Sequence, residues 1–327
     1  MRILVIRLSS LGDVLLTTPV LRCLKKQLPH VELHLATRPQ CAQLIANNPY
    51  IDKIIEVDKD FSDYGIFKGR YDWIVDLHNN RRSKRIRKSA GEKTKSVIYR
   101  KENLHKFIYI WTKINVMSGM HVVDRYMHAV STLGVKADNE GLDLFLDNVD
   151  RTNIKGLCDT IAKEEQYVVF ACGAQHSTKR IPPEKLLQLA EMIDSKVLLL
   201  GDKNDRNRID QCSAVKPDNV LNLCGETTLM QSAAIVEKAS AVVTPDSVMM
   251  HISAALRRPV FAIWGATAPS FGFTAFRTDR RDFVAERLWC HPCSRMGSER
   301  CPLGHFKCME NHDWAMLVKM INSKIKK

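Results

Sequence analysis

Short apolar segments alternate with segments of helical periodicity along this sequence, in two successive series. In the first series, Arg2–Leu8 is apolar enough for a buried strand, and Val14–Leu28 has apolar residues at a helical spacing. Further strands are predicted at Val31–Ala36, Ile51–Val57 and Trp73–Leu77. Strand, helix and strand in this order indicate βαβ units, which form a parallel sheet covered by helices.

A second series begins after a polar stretch near residue 150. Its predicted strands are Tyr167–Ala171, Val197–Gly201, Ala241–Thr244 and Val260–Trp264, and its predicted helices are Pro183–Ile193, Leu229–Lys238 and His251–Leu256. We therefore predict an α/β protein with Rossmann-like, doubly wound domains at 1–152 and 153–311, facing a central cleft. A final helix at 312–327 is expected to pack back toward the first domain. Open α/β sheets bind ligands at the carboxyl ends of their strands, so the cleft is the predicted site.

Most of the positive charge lies in one run. The chain has 327 residues and a formal net charge of +13, and residues 81–113 alone hold twelve Lys or Arg against two Glu. Such a run is typical of a solvated basic face or of a surface that binds nucleic acid, an anionic membrane or a phosphorylated glycolipid. It contains no recognised nucleic-acid-binding motif, so no nucleic-acid partner is expected.

The sequence also disfavours several classes of protein. No segment is long and apolar enough for a membrane span, and the N-terminus lacks the pattern of a secretion signal. With ten cysteines, this predicts a cytoplasmic protein in a reducing compartment. No GxGxxG motif follows the first strand and no GxxxxGKS or GxxxxGKT motif is present, which disfavours a dinucleotide-dependent oxidoreductase and a P-loop NTPase.

The loop after the first predicted strand provides a carboxylate at the start of a helix. It runs from Arg7 to Asp13 and includes Ser10 and Gly12, small residues that let a ligand approach the backbone. Asp13 is either a helix N-terminal carboxylate, which stabilises the helix by about 0.3–1 kcal/mol, or a general base for an attacking hydroxyl.

Two loops of the second series have residues suited to a diphosphate. The loop after its first strand contains the cations Lys179 and Arg180 ahead of a helix, which suit a diphosphate or simply form a polar surface. The loop after its third strand contains Asp246 and Ser247, with His251 five residues after the aspartate. These residues either cap the next helix or, with its free N–H groups, meet a pyrophosphate.

Three separated blocks are the most specific motifs of the sequence. They are R-L-S-S-L-G-D-V-L-L-T-T-P at 7–19, G-A-x-x-x-x-K-R-x-P at 173–182, and D-S-x-x-M-H at 246–251 with A-A-L behind it. In this order and spacing they resemble the ADP-heptose:lipopolysaccharide heptosyltransferases, glycosyltransferase family 9, over essentially the whole chain. The resemblance implies a GT-B fold, with the acceptor on the N-terminal domain and the nucleotide-sugar on the C-terminal domain. It also implies an inverting transfer without a metal or cofactor.

The same resemblance assigns roles to single residues. Asp13 matches the proposed catalytic base of the family. The residues expected to bind the donor are Lys179, Asp246, Ser247, His251, Thr227 and Gln175, and those expected on the acceptor side are Ser10, Gly12, Arg81 and Arg82. The implied partners are an ADP-sugar donor and a lipid-linked glycan acceptor, most simply lipopolysaccharide core.

One position departs from the family pattern and leaves alternatives open. The family usually has glycine where this chain has Val248, and a β-branched residue there narrows the approach of a donor to the backbone. The alternatives are the same fold using another nucleotide-sugar in surface polysaccharide synthesis, and a non-catalytic member that binds nucleotide-sugar. A basic, zinc-stapled nucleic-acid-binding protein is the rival from another class.

Four cysteines cluster near the C-terminus in the pattern C-x2-C-x7-C-x6-C. They are Cys290, Cys293, Cys301 and Cys308, with His291 and His305 interleaved. Four soft ligands can form a closed zinc site, but the spacing is irregular for a zinc ribbon, so a disulfide and free thiols remain as alternatives. No catalytic metal is predicted.

An aromatic run lies between two lysines at Lys106 and Lys113. The run Phe107–Trp111 suits either a lipid–water interface or a helix packed in a core. We predict weak, salt-sensitive peripheral association with the anionic inner face of a membrane.

Overall fold

A computed structural model describes residues 1–157, 166–212, 217–286 and 288–326, and its contacts divide the chain into two compact units. The first unit comprises Met1–Glu102 and Met120–Phe145, and the second comprises Asn103–Gly119 and Leu146–Lys327. The boundary predicted at residue 152 differs from this division. The chain enters the second unit at residue 103, returns at 120 and leaves the first unit finally after 145.

The first unit contains a five-stranded parallel sheet. Its strands are β1 (Arg2–Ile6), β2 (Glu32–Thr37), β3 (Lys53–Glu56), β4 (Trp73–Asp76) and β5 (Lys95–Ile98). The strand order is β3-β2-β1-β4-β5, and all four neighbouring pairs are parallel. The order reverses between β1 and β4, which makes the carboxyl ends of these strands the topological switch point of the sheet.

The helix predicted at Val14–Leu28 is two helices in the structure. The helices up to residue 130 are α1 (Leu11–Leu15), α2 (Thr18–Gln27), α3 (Pro39–Ala42), α4 (Arg81–Ser89), α5 (Asn103–Thr112) and α6 (Val122–Val130). The break falls at Thr17, whose hydroxyl donates to the carbonyl of Val14 at 2.6 Å. Pro19 lies in the first turn of α2, where its missing N–H and fixed φ favour a new helix start.

The second unit also contains a parallel sheet, which has six strands. They are β6 (Tyr167–Ala171), β7 (Lys196–Leu200), β8 (Val220–Asn222), β9 (Ala241–Pro245), β10 (Val260–Trp264) and β11 (Arg280–Val284). The order is β11-β10-β9-β6-β7-β8, so the switch point lies between β6 and β9. The remaining helices are α7 (Asn148–Leu157), α8 (Pro183–Glu191), α9 (Lys203–Cys212), α10 (Leu229–Glu237), α11 (Val248–Ala255), α12 (Lys307–Glu310) and α13 (Trp314–Ile325).

The last helix, α13, has its apolar side in the core of the second unit. Leu317 and Ile321 are fully buried there, with Phe261 and Ile263 of β10 in the same cluster. The expected contact of this helix with the first domain stays a prediction. Both sheets have the Rossmann-like strand order, which confirms the predicted α/β fold class. In the described part of the chain, no helix has both the length and the apolar composition of a membrane span.

Candidate functional site

The carboxylate of Asp13 lies in the first turn of α1, just beyond the carboxyl end of β1. Its Oδ2 atom accepts hydrogen bonds from the backbone N–H of Ser10 at 3.0 Å and from the Ser10 hydroxyl at 2.9 Å. The same oxygen pairs with Nη2 of Arg7 at 2.8 Å, and the Asp13 side chain is 20 % exposed. Because these three contacts all use Oδ2, Oδ1 is the oxygen that remains for a ligand.

Arg7 connects this carboxylate to the switch point of the first sheet. Its Nη1 atom donates to the carbonyl of Leu77, directly after β4, at 2.6 Å, and its Nε donates to the carbonyl of Ser9 at 3.0 Å. The guanidinium also lies 5.7 Å from the centre of the Tyr126 ring. With so many contacts, the 8 % exposed Arg7 side chain holds Asp13 in one orientation.

The charges around Asp13 determine its protonation. Burial raises the pKa of Asp13, whereas the positive charge of Arg7 and the hydrogen bonds from Ser10 lower it. The lowering is the larger effect, so this pKa lies below its ordinary value. Burial, followed by the charges of Arg7 and Lys101, lowers the pKa of His78 to about 3. At neutral pH the site therefore has an ionised carboxylate beside a neutral imidazole.

A buried aspartate shapes the turn after β4. Asp76 is fully buried, accepts the backbone N–H of His78 at 3.0 Å and pairs with Nε of Arg87 at 2.9 Å. This turn leaves Nδ1 of His78 buried without a hydrogen-bond partner in the described residues. The turn also leads into α4, which begins with Arg81 and Arg82. Neither arginine has a described contact with the carboxylate in α1, so their acceptor-side role stays a prediction.

In the second unit, a cation and a carboxylate meet between the ends of β6 and β9. Nζ of Lys179 lies 2.8 Å from Oδ2 of Asp246, and the two side chains are 13 % and 14 % exposed. The hydroxyl of Thr267, beyond β10, donates to the same oxygen at 2.8 Å. The structure therefore brings two predicted donor residues together at the switch point of this sheet.

The start of α11 lies beside this ion pair. Ser247 is the N-cap residue, but its side chain makes no capping hydrogen bond, and its hydroxyl lies 3.1 Å from that of Thr244. The uncapped N–H groups of a helix N-terminus favour anions. Val248 is the first residue of α11, and His251, also on this helix, is 5 % exposed.

Two other predicted donor residues are not joined to this ion pair by any described contact. The Thr227 hydroxyl lies 2.7 Å from that of Ser232, close to the start of α10. Gln175 is exposed on the loop that follows β6. Their roles as donor contacts stay predictions.

The loop around residues 297–299 supports the Lys179 segment and was not predicted. The backbone N–H of Thr178 donates to the carbonyl of Ser298 at 3.0 Å, and Glu299 accepts from the Ser177 hydroxyl at 3.1 Å. Gly297 has φ +99°, and a Cβ there would lie 2.9 Å from Cδ of Lys179. Only glycine fits both the backbone angle and this close approach.

The four clustered cysteines have free thiols. Cys290, Cys293, Cys301 and Cys308 line one cavity of about 30 Å³ together with His305. Sγ of Cys290 lies 3.7 Å from Nε2 of His305. Within the described residues, no three His, Cys, Asp or Glu side chains are already arranged as the ligands of a metal ion.

Comparison with known proteins gives a consistent result. Residues 65–303 match the family model of glycosyltransferase family 9 (heptosyltransferase). The chain is 26 % identical over 299 residues to lipooligosaccharide heptosyltransferase 2 of Haemophilus influenzae, covering 83 % of this chain and 85 % of the relative. It is 24 % identical over 295 residues to lipopolysaccharide heptosyltransferase 2 of Escherichia coli, covering 83 % and 84 %.

A solved structure shares the fold. The E. coli ADP-heptose lipopolysaccharide heptosyltransferase II superposes with a TM-score of 0.74 at 20 % identity, over 100 % of this chain and 99 % of that one. This likeness confirms the predicted GT-B fold class.

Proposed function

This chain belongs to glycosyltransferase family 9, the heptosyltransferase family, and we propose that it transfers a heptose from ADP-heptose to lipopolysaccharide core or a similar lipid-linked glycan. The relatives named above are heptosyltransferases of lipopolysaccharide or lipooligosaccharide. The observation that carries the proposal is the 2.8 Å ion pair between Lys179 and Asp246. It holds a cation at the strand ends where an open α/β sheet binds a nucleotide.

On the acceptor side, Asp13 acts as the general base. Its Oδ1 atom, which none of the described contacts uses, accepts the proton of the acceptor hydroxyl. At the same time the hydroxyl oxygen of the acceptor bonds to the anomeric carbon of the donor sugar. A carboxylate of low pKa can serve here because the hydroxyl becomes strongly acidic as the new C–O bond forms. Attack from the face opposite the diphosphate breaks the donor C–O bond and inverts the anomeric centre.

On the donor side, the developing negative charge is on the departing diphosphate. Once the donor is bound, Lys179 and the uncapped N–H groups at the start of α11 stabilise that charge. Thr267 keeps a hydrogen bond to Asp246 when Lys179 turns toward the phosphates.

Family membership does not favour the rival interpretation as a nucleic-acid-binding protein.

Thermal unfolding with different nucleotide-sugars tests the proposed donor. ADP-heptose at 100 times its Kd is expected to add about 2.7 kcal/mol to the free energy of unfolding, and thus to raise the Tm clearly. UDP- and GDP-sugars at the same concentration serve as controls. A shift with one of these and none with ADP-heptose would assign another nucleotide-sugar to the fold.

We also propose that α5 docks on an anionic bilayer. Leu104, Phe107 and Trp111 are 68 %, 54 % and 74 % exposed, and their spacing places them on one face of the helix. Residues 103–119, which include this helix, contain no Asp or Glu. Exposed aromatic and aliphatic side chains on one face of a helix without acidic residues are typical of helices that lie in a membrane interface.

The two lysines that flank the aromatic run both contact residues of the second unit. Nζ of Lys106 lies 5.0 Å and 4.3 Å from the ring centres of Phe271 and Phe273. Nζ of Lys113 donates to the carbonyl of Cys290 at 3.0 Å. Both lysines therefore anchor α5 to its own unit, and the proposed contact with lipid is mainly apolar.

Sedimentation with phosphatidylglycerol-containing vesicles tests this surface. Trp111→Ser is expected to lower the bound fraction severalfold, because it removes a large aromatic side chain from the interface. Met192→Ser, which replaces another exposed apolar residue (56 % exposed), should leave binding unchanged. Equal binding of the wild type and the Trp111 variant would rule out docking through α5.

A further inference from the structure

The segment between β11 and α12, residues 285–306, forms no helix or strand in its described part. Such long irregular loops are uncommon in compact domains unless they are functional. This one is fixed to its unit at several points. The backbone N–H groups of Cys293 and Ser294 both donate to the carbonyl of Ala266 at 3.1 Å, and Lys113 donates to the carbonyl of Pro292 at 2.8 Å. The loop is therefore held in place although it lacks regular structure.

The cavity at the base of this loop has an unusual lining. Cys290, Cys293 and Cys301 of the loop and Cys308 of α12 line one small cavity of about 30 Å³. Protein interiors leave few voids, and a buried water needs two to four good hydrogen-bond partners. Thiols are weak donors and acceptors, so this lining suits a water poorly. Cysteine thiolates bind soft cations, and four cysteines that line one small cavity are enough for a tetrahedral site.

The two histidines that line this cavity, His291 and His305, are already engaged. Nδ1 of His305 accepts the backbone N–H of Lys307 at 3.1 Å, which places the ring proton on Nε2, the atom 3.7 Å from Sγ of Cys290. An N–H aimed at a sulfur stabilises a metal-bound thiolate from outside the ligand set. Nε2 of His291 lies 2.8 Å from the carbonyl of Thr267. The cysteines are therefore the ligand candidates, with His305 as their support.

We propose that Cys290, Cys293, Cys301 and Cys308 bind one structural Zn²⁺ ion. Each thiol releases its proton to solvent as its thiolate–zinc bond forms. The four sulfurs are not at ligand positions in this structure, so the proposal requires the cysteine side chains to change rotamer about χ1 when the ion binds. Four thiolates and Zn²⁺ carry a net charge of −2, which the adjacent ammonium group of Lys113 partly offsets.

The ion would stabilise the loop that supports the donor residues, an extension that rests on the proposed function. His291 contacts the carbonyl of Thr267, and the Thr267 hydroxyl bonds to Asp246. Gly297 packs on Lys179. Loss of the ion should therefore loosen both members of the Lys179–Asp246 pair, while binding of the ion itself needs no nucleotide.

Elemental analysis of the untagged, full-length chain tests the site without any activity assay. The wild type is expected to contain roughly one zinc ion per chain after gel filtration, and the variant Cys293→Ser/Cys301→Ser at least about fivefold less. Cys212→Ser, at the end of α9 outside the cluster, should keep the zinc content of the wild type. A wild type with no more zinc than the double variant would overturn the proposal.

Co²⁺ provides a measurement that does not depend on the folding of the variant. After the wild type is treated with a chelator, added Co²⁺ should produce thiolate-to-cobalt absorption in the near ultraviolet at a stoichiometry of about one. Absence of that absorption would also overturn the site. Failure of ADP-heptose to bind would contradict the proposed function and leave the zinc result standing.

Discussion

Asp13→Asn is expected to lower the turnover number by roughly 10²–10⁴-fold while the Kd for ADP stays within about threefold of the wild-type value. Asparagine has nearly the same size and can still accept a hydrogen bond from Ser10, but its amide does not accept a proton at neutral pH. The residues proposed to bind the nucleotide belong to the second unit, so their affinity should not depend on this carboxylate. Turnover is measured as ADP release with ADP-heptose and a lipid-linked acceptor, and the Kd by calorimetry.

Asp60→Asn is the matched control, because Asp60 is exposed and has no proposed role. A variant at position 13 that kept more than about a tenth of the turnover would contradict the assignment of a general base. In the wild type, the lowered pKa of Asp13 keeps the carboxylate ionised well into mild acid. The turnover number should therefore fall only when the pH approaches the lowered pKa of Asp13, where the carboxylate becomes protonated and can no longer accept a proton.

Much of the fold was predictable because its central strands leave few alternatives. In β1, Ile3–Ile6 is fully buried, and β6 is buried along its whole length. Strands covered on both faces read as continuous apolar runs, and helical periods between them indicate a parallel sheet. These patterns are local, so one sequence is enough to recognise them.

The position of α5 could not be predicted in this way. Its sequence lies between strand β5 and helix α6 of the first unit, yet Tyr109 packs edge-on against Phe271, with ring centres 6.0 Å apart. Lys106 lies over the same ring. These partners are more than 150 residues away in the sequence, and no periodic pattern in α5 indicates them.

For the site residues as well, the sequence indicated individual residues but not the contacts that the fold creates between them. The motifs indicated Asp13, Lys179 and Asp246, but they did not show that Lys179 and Asp246 form one ion pair. Arg7 was visible in the first motif, yet its role depends on a hydrogen bond to Leu77, 70 positions away. No sequence pattern indicated Gly297, because glycine is required there only by the close approach of its backbone to Lys179.

Lys179→Met is expected to raise the Kd for ADP at least about tenfold and to lower turnover by roughly 10²–10³-fold, the range for loss of one group that stabilises transition-state charge. Methionine keeps most of the apolar stem of the lysine but removes its charge. The loss is compounded because Asp246 then keeps, among its described contacts, only the hydrogen bond from Thr267. It presents an uncompensated negative charge to the diphosphate. Calorimetry with ADP and the assay of ADP release measure the two effects.

Lys185→Met on α8 is the matched control, since this half-buried lysine bonds only to Gln188 among its described contacts. Both the Kd for ADP and the turnover number should stay at wild-type values. Adding Asp246→Asn to Lys179→Met removes the unpaired carboxylate and should recover part of the lost ADP affinity. Little turnover should return, because the positive charge that stabilises the leaving group is still missing. ADP binding by Lys179→Met equal to that of the wild type would show that the ion pair at the switch point of the second sheet does not contact the nucleotide.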